Sequence, residues 1–191
     1  MFLTQTATLL VDAYRELNAR RLFWISMIIS AVIVLIFAAV GINDTGFTIL
    51  WKQIPNDTIN TRFIDRATAY KTLFENLGVN WWLTWGATLL ALVSTASTFP
   101  DFLTGGAIDL YLSKPISRLR LFITKYLTGL LFVTLQVIAF CLASFFVLGF
   151  RGGVWVPAVF IAVPLVVLFF SYLYCVMTFF GILTRSTIAS L

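Results

Sequence analysis

Polar and apolar residues do not alternate along this chain; they separate into long blocks. Four apolar blocks, 22–42, 81–99, 126–150 and 157–183, contain no Asp, Glu, Lys or Arg. At about 1.5 Å per helical residue, such blocks are long enough to cross roughly 30 Å of hydrocarbon. A charge at mid-bilayer costs about 2.5–3.5 kcal/mol on insertion scales, so uncharged runs of this length predict membrane-spanning helices. Two polar connections, 43–80 and 100–125, separate the first three blocks.

Two shorter segments carry helical periodicity. Leu3, Ala7, Leu10, Tyr14 and Leu17 recur in steps of four and three, with Asp12, Arg15, Glu16 and Arg20 on the other face. Glu16 precedes Arg20 by four residues, the favourable order for a helical ion pair. This pattern predicts an N-terminal amphipathic helix over 1–21, lying along a membrane surface. Phe63, Ala67, Tyr70, Phe74 and Leu77 repeat the same steps, and Gly78 offers a C-terminal stop. A helix resting on the spans is expected there, with a lid over the outer mouth as the alternative. The fold class is therefore all-α, a polytopic membrane protein with one transmembrane domain over 1–191.

Composition sharpens this reading. Hydrophobic residues make up 60% of the 191 positions and charged residues 11%, against about 25% charged in soluble proteins. The mean hydropathy is +0.97. A water-soluble fold of this size has no means of hiding so much apolar surface. The formal net charge is +5, and its basic residues flank the apolar blocks. Arg15, Arg20, Arg21, Lys114, Arg118, Arg120, Lys125 and Arg185 share one side if all four blocks cross. Lys52, Arg62, Arg66, Lys71 and Arg151 fall on the other, mostly in the long 43–80 connection. The positive-inside rule then places both ends in the cytoplasm of a multi-pass protein of the plasma membrane, with 43–80 outside. Trp81, Trp82 and Trp85 would sit at the outer interface. Basic patches interleaved with stacking aromatics are missing, so nucleic acid is not an expected partner. Cys141 and Cys175 lie within apolar runs and His is absent, so neither a metal site nor a cofactor is expected.

Candidate chemistry concentrates in 100–125. Pro100 ends the second span, Gly105-Gly106 permits a sharp reversal, and Ile108–Leu112 forms a short apolar stub closed by Pro115. Ser117 is placed to cap the helix feeding the third span. An apolar stub between charges suits docking into a partner's groove, and it suits a plain connection equally well.

The run Ile108-Asp109-Leu110-Tyr111-Leu112-Ser113-Lys114-Pro115-Ile116-Ser117-Arg118, followed by Lys125-Tyr126-Leu127, resembles a segment of type-2 ATP-binding-cassette (ABC) transporter permeases. It is most similar to the subgroup that includes the copper-processing permease of nitrous-oxide-reductase maturation. The chain departs from the family pattern at Gly106-Ala107, often Gly-Thr, and at Thr124, often Gly. The resemblance extends over essentially the whole chain. It implies that Phe99 to Arg118 contains a coupling helix seated in a cytoplasmic ATP-binding subunit. Asp101, Gly105, Gly106, Ile108, Asp109, Leu110, Leu112, Lys114, Pro115 and Arg118 would form that coupling surface. It also implies export, and pairing with a second permease as a homodimer or heterodimer. The family carries six spans per protomer, so the sequence is expected to represent part of a six-helix permease. No Gly-x-x-x-x-Gly-Lys-(Ser/Thr) phosphate loop occurs, so ATP hydrolysis is expected in a separate subunit.

Polar residues within the blocks include Thr84, Ser94, Thr95, Ser97 and Thr98, then Thr128, Thr134, Gln136 and Ser144, then Ser171, Tyr172, Tyr174 and Thr178. Packing accounts for most of them. Ala87, Ala91 and Thr95, four apart, are small enough to admit a close neighbouring helix. Gln136 stands apart as the candidate intramembrane polar site, because its amide needs partners in lipid. Two alternatives to the permease remain at this level. An ion-coupled carrier would ordinarily keep ionisable groups in its spans, and these blocks hold no Asp, Glu, Lys or Arg. A structural membrane anchor would leave the same traces.

Overall fold

The computed structural model describes residues 21–43, 46–49, 52–55, 65–96, 98 and 118–184. The expected N-terminal surface helix and nearly all of the 100–125 segment lie outside these residues. Helix α1 covers Arg21–Ala39, and three strands follow: β1 (Val40–Asn43), β2 (Gly46–Ile49) and β3 (Lys52–Pro55). A continuous helical rod then runs through α2 (Arg66–Leu73), a π-helical segment (Phe74–Ala87) and α3 (Thr88–Thr95). Helix α4 spans Arg118–Gly152, a 3₁₀ turn covers Pro157–Ile161, and α5 covers Ala162–Thr184. Four of these helical stretches, Arg21–Ala39, Ala67–Thr95, Phe122–Gly152 and Pro157–Thr184, are long and apolar enough to cross a membrane.

Two sequence expectations need amendment. The all-α class holds for the long elements but omits a small antiparallel sheet of order β1-β2-β3. Val40 pairs with Ile49 and Asn43 with Gly46, while Gly46 pairs with Pro55 and Ile49 with Lys52. Each hairpin leaves two residues between its innermost pair, the shortest common connection between antiparallel strands. The first apolar block therefore leaves the helix at Ala39, where Val40-Gly41-Ile42 begins a strand. Glycine is costly in a helix and the β-branched residues favour the pleat.

The second amendment concerns Gly78. It does not stop a helix; it lies buried within the π-helical segment, joining the expected outer-loop helix to the second span. A Cβ at Gly78 would stand 3.3 Å from the rings of both Phe74 and Phe140. The missing side chain serves close approach, the other use of glycine. The π register has an independent marker in the threonines. Thr84 Oγ1 donates to the carbonyl of Val79, five residues back, at 2.9 Å. Thr72, Thr95, Thr128, Thr134 and Thr184 each donate four residues back.

Packing divides the described residues into two compact units. The first contains 21–26, 88–96, 98, 118–135 and 167–184. Its centre is an aromatic stack: Tyr174 lies between Tyr126, 5.1 Å away at 21°, and Phe170, 5.3 Å away at 20°. Tyr126 Oη donates to the Ser171 carbonyl at 2.9 Å, and Phe23 meets Phe132 edge-on. Gly129 makes room for the stack, since a Cβ there would come within 2.7 Å of the Tyr174 ring and hydroxyl.

The second unit contains the described residues of 27–87, namely 27–43, 46–49, 52–55 and 65–87, together with 136–166. Phe140 is its hub, contacting Phe37 edge-on and Phe74 in a stack, both at 6.3 Å. Tyr70 Oη donates to the Val40 carbonyl at 2.7 Å and so ties α2 to the first strand. At the α4–α5 turn, Trp155 packs over Gly149 against Phe145, Phe146 and Phe150.

Replacing Gly129 by Ala should lower stability by about 1–3 kcal/mol through overpacking against Tyr174, read as an earlier thermal unfolding transition in detergent. At Gly152 the nearest side-chain atoms to an added Cβ are 3.5 Å away. Gly152→Ala in the same helix should therefore be neutral or slightly stabilising.

Candidate functional site

The long helices turn their polarity inward. Large apolar side chains such as Leu35, Trp81, Leu168 and Phe179 are exposed. Ser26, Ser30, Thr88, Ser94, Thr95, Thr98, Thr128, Gln136, Ser144 and Thr178 are buried. Ser26, Thr95 and Thr128 satisfy a hydroxyl locally by donating to the preceding helical turn, Ser26 to Phe23 at 2.8 Å, Thr95 to Ala91 at 2.8 Å and Thr128 to Thr124 at 2.9 Å. The small residues Ala87, Ala91 and Thr95 are themselves buried within the chain.

Gln136 has no such local solution. A carboxamide brings two donors and an acceptor on a longer stem, and Gln136 is only 1% exposed. Neither its Nε2 nor its Oε1 has a hydrogen-bond partner among the described residues, and the same holds for Ser144 Oγ. An unpartnered buried polar group costs roughly 1–3 kcal/mol. Gln136 belongs to α4 in the second unit, as do Phe140 one turn on and Ser144 two turns on. At 3.6 residues per turn, positions 136, 140 and 144 share a side of the helix.

Beside this side of α4 is a half-open cavity of about 100 Å³, lined by Met27, Ser30, Ala31 and Val34 of α1 and by Ala139, Phe140 and Ala143 of α4. Its one hydroxyl is Ser30, which accepts a hydrogen bond from Trp82 Nε1 at 2.9 Å. The Trp82 ring lies across Gly86, where a Cβ would stand 2.6 Å away. Trp82 thus differs from Trp81 and Trp85, which are 72% and 62% exposed. The sequence grouped all three at one interface, but only the pair four residues apart faces outward.

The other sequence-derived site residues divide simply. Asp101, Gly105, Gly106, Ile108, Asp109, Leu110, Leu112, Lys114 and Pro115 lie outside the described residues, and Arg118 is the first residue of α4. Ser26 and Ser30 were missed. Their signal was available, as two serines four apart in an otherwise apolar helix mark one inward side. Cys141 is buried and Cys175 exposed, both as free thiols. Among the described residues, no three His, Cys, Asp or Glu side chains gather as metal ligands would.

No protein-family model, curated protein or solved structure matches this chain.

The Trp82–Ser30 bond should behave as a coupled pair. Trp82→Phe and Ser30→Ala should each cost about 0.5–1.5 kcal/mol in detergent unfolding. The double variant should cost less than their sum, because only one shared bond is lost.

Proposed function

We propose that this chain is a membrane-embedded permease subunit of an ATP-driven transporter, worked by a separate cytoplasmic ATPase. The observation that carries the membrane part is the inverted polarity of the four long helices. Large apolar side chains make up much of their exposed surface, and many of their serines and threonines, Ser26, Ser30, Thr95, Thr128 and Ser144 among them, are buried. Lipid is the solvent that makes such a surface favourable, because it leaves helices with internally satisfied backbones as the stable elements. Four crossings return the chain to the side on which it entered, and the basic flanks set that side as cytoplasmic.

The transport part rests on the 108–118 run and its likeness to type-2 ABC permeases. That run lies between α3 and α4 in sequence, and the proposed four-crossing arrangement would put it on the cytoplasmic side. A short apolar segment there is positioned to receive a push from a nucleotide-binding partner. Pairing with a second permease subunit and outward transport belong to the same proposal. Buried Gln136 supports a pathway through the helices, since an amide kept in an apolar interior without local partners is costly for a mere anchor.

The test is recovery of the partner. Full-length chain purified gently from its native membrane should bring with it an ATP-binding subunit. Deleting Ile108–Leu112 should abolish recovery while leaving membrane insertion unchanged. An ATP-binding subunit that stays bound to the deletion variant would rule out this coupling segment, and its absence from the intact chain would rule out the ATP-driven reading.

A further inference from the structure

We propose that Gln136 is the polar contact of a ligand site that is shut in this conformation, closed by Phe140 and the π-helical segment, and that takes a neutral hydrogen-bonding group when open. This inference rests on the helices being embedded in a membrane and deepens the permease reading by naming a site and a ligand class.

Three observations converge within the second unit. Gln136 is buried with both amide atoms unpartnered among the described residues, and Ser144 repeats the situation two turns further along. Those atoms are also shut off from solvent. Polar groups so placed are costly, and a conformation that satisfies them competes with the closed one.

The second observation is what stands over this side of α4. Phe140, one turn from Gln136, is held by Phe37 and Phe74 and meets the backbone of Gly78. Moving Phe140 from this position breaks its contacts with the rod that carries Phe74 and Gly78.

The third is that this part of the rod is π-helical from Phe74 to Ala87, a 14-residue run. Such i→i+5 runs are usually single turns, and they recur at functional sites. A return to the i→i+4 register would rotate Phe74, Gly78 and Trp82 relative to one another. It would disturb both the Phe140 cluster and the Trp82–Ser30 bond at the cavity wall. One register change therefore reaches both Phe140, one turn from Gln136, and the Trp82–Ser30 bond.

The ligand class follows from the residues present. No charged residue occurs between Lys125 and Arg151 in α4, and an ion would lack a counter-charge there at low dielectric. A carboxamide offers donor and acceptor together, which matches an amide or hydroxyl. The neighbouring cavity walls, Met27, Val34 and Phe140 among them, suit an apolar body attached to that group.

The experiment uses the full chain in lipid vesicles, with Cys141 and Cys175 replaced by Ala. Only the thiolate reacts with methanethiosulfonates, so reaction reports water reaching the labelled position. Gln136→Cys should be modified by methyl methanethiosulfonate without detergent, and faster when Phe140→Ala is added. No modification in either form, with complete modification after unfolding in SDS, would overturn the opening. In a second arm, acetamide should slow modification of Ala139→Cys when Gln136 is present and lose that effect with Gln136→Leu. Equal slowing in both would overturn the role of the amide. Thermal unfolding separates a structural role: Gln136→Leu should leave the transition unchanged or raise it, and a clear drop would assign Gln136 to packing instead. None of these readouts involves the ATPase, so their failure is distinct from failure to recover that subunit.

Discussion

Every buried polar group in this chain must find its partner within the protein, and that single constraint organises the helices. Hydroxyls meet it cheaply, because Ser and Thr reach back to a carbonyl of their own helix. The buried serines and threonines can therefore line the inner faces while large apolar residues cover the outside. Longer polar side chains have no such local answer. Tyr70, Tyr126 and Trp82 reach across to another element, and each bond fixes where two elements touch. Among the described residues, Gln136, Ser144 and Thr178 keep buried side-chain polar atoms without a hydrogen-bond partner, and Gln136 leaves both ends of its amide so.

Helix α4 carries the consequences. In one unit Gly129 admits the Tyr126–Tyr174–Phe170 stack, and in the other Phe140 gathers Phe37, Phe74 and Gly78. Aromatic rings supply large apolar contact with specific geometry, while glycines provide the clearance those rings require. Trp82 over Gly86, Tyr174 over Gly129 and Trp155 over Gly149 repeat the same device. Close packing of this kind has discrete solutions, so a rearrangement proceeds by exchanging one set of contacts for another.

Under the proposed function, these features divide the work of transport. The segment after α3 receives force from the ATPase, and the uncharged helices hold the pathway without supplying energy. The π-helical stretch, which packs on Phe140 one turn from the unsatisfied amide, is the element that would act as a gate by changing its hydrogen-bond register.

The sequence by itself determined the four long helices, because the absence of charge over such lengths depends on composition alone. It also identified Gln136, since an isolated amide in an apolar run is conspicuous without knowing its neighbours. Tertiary structure decided which side each residue faces. Trp82 separates from Trp81 and Trp85 because a serine fifty-two positions away receives its indole proton. Gly78 is a contact point and not a helix stop because Phe140, distant in sequence, needs its space. The strands after Ala39 were equally illegible in advance. Their short, mixed pattern depends on pairing partners for its meaning, whereas a span depends only on its own length and lack of charge.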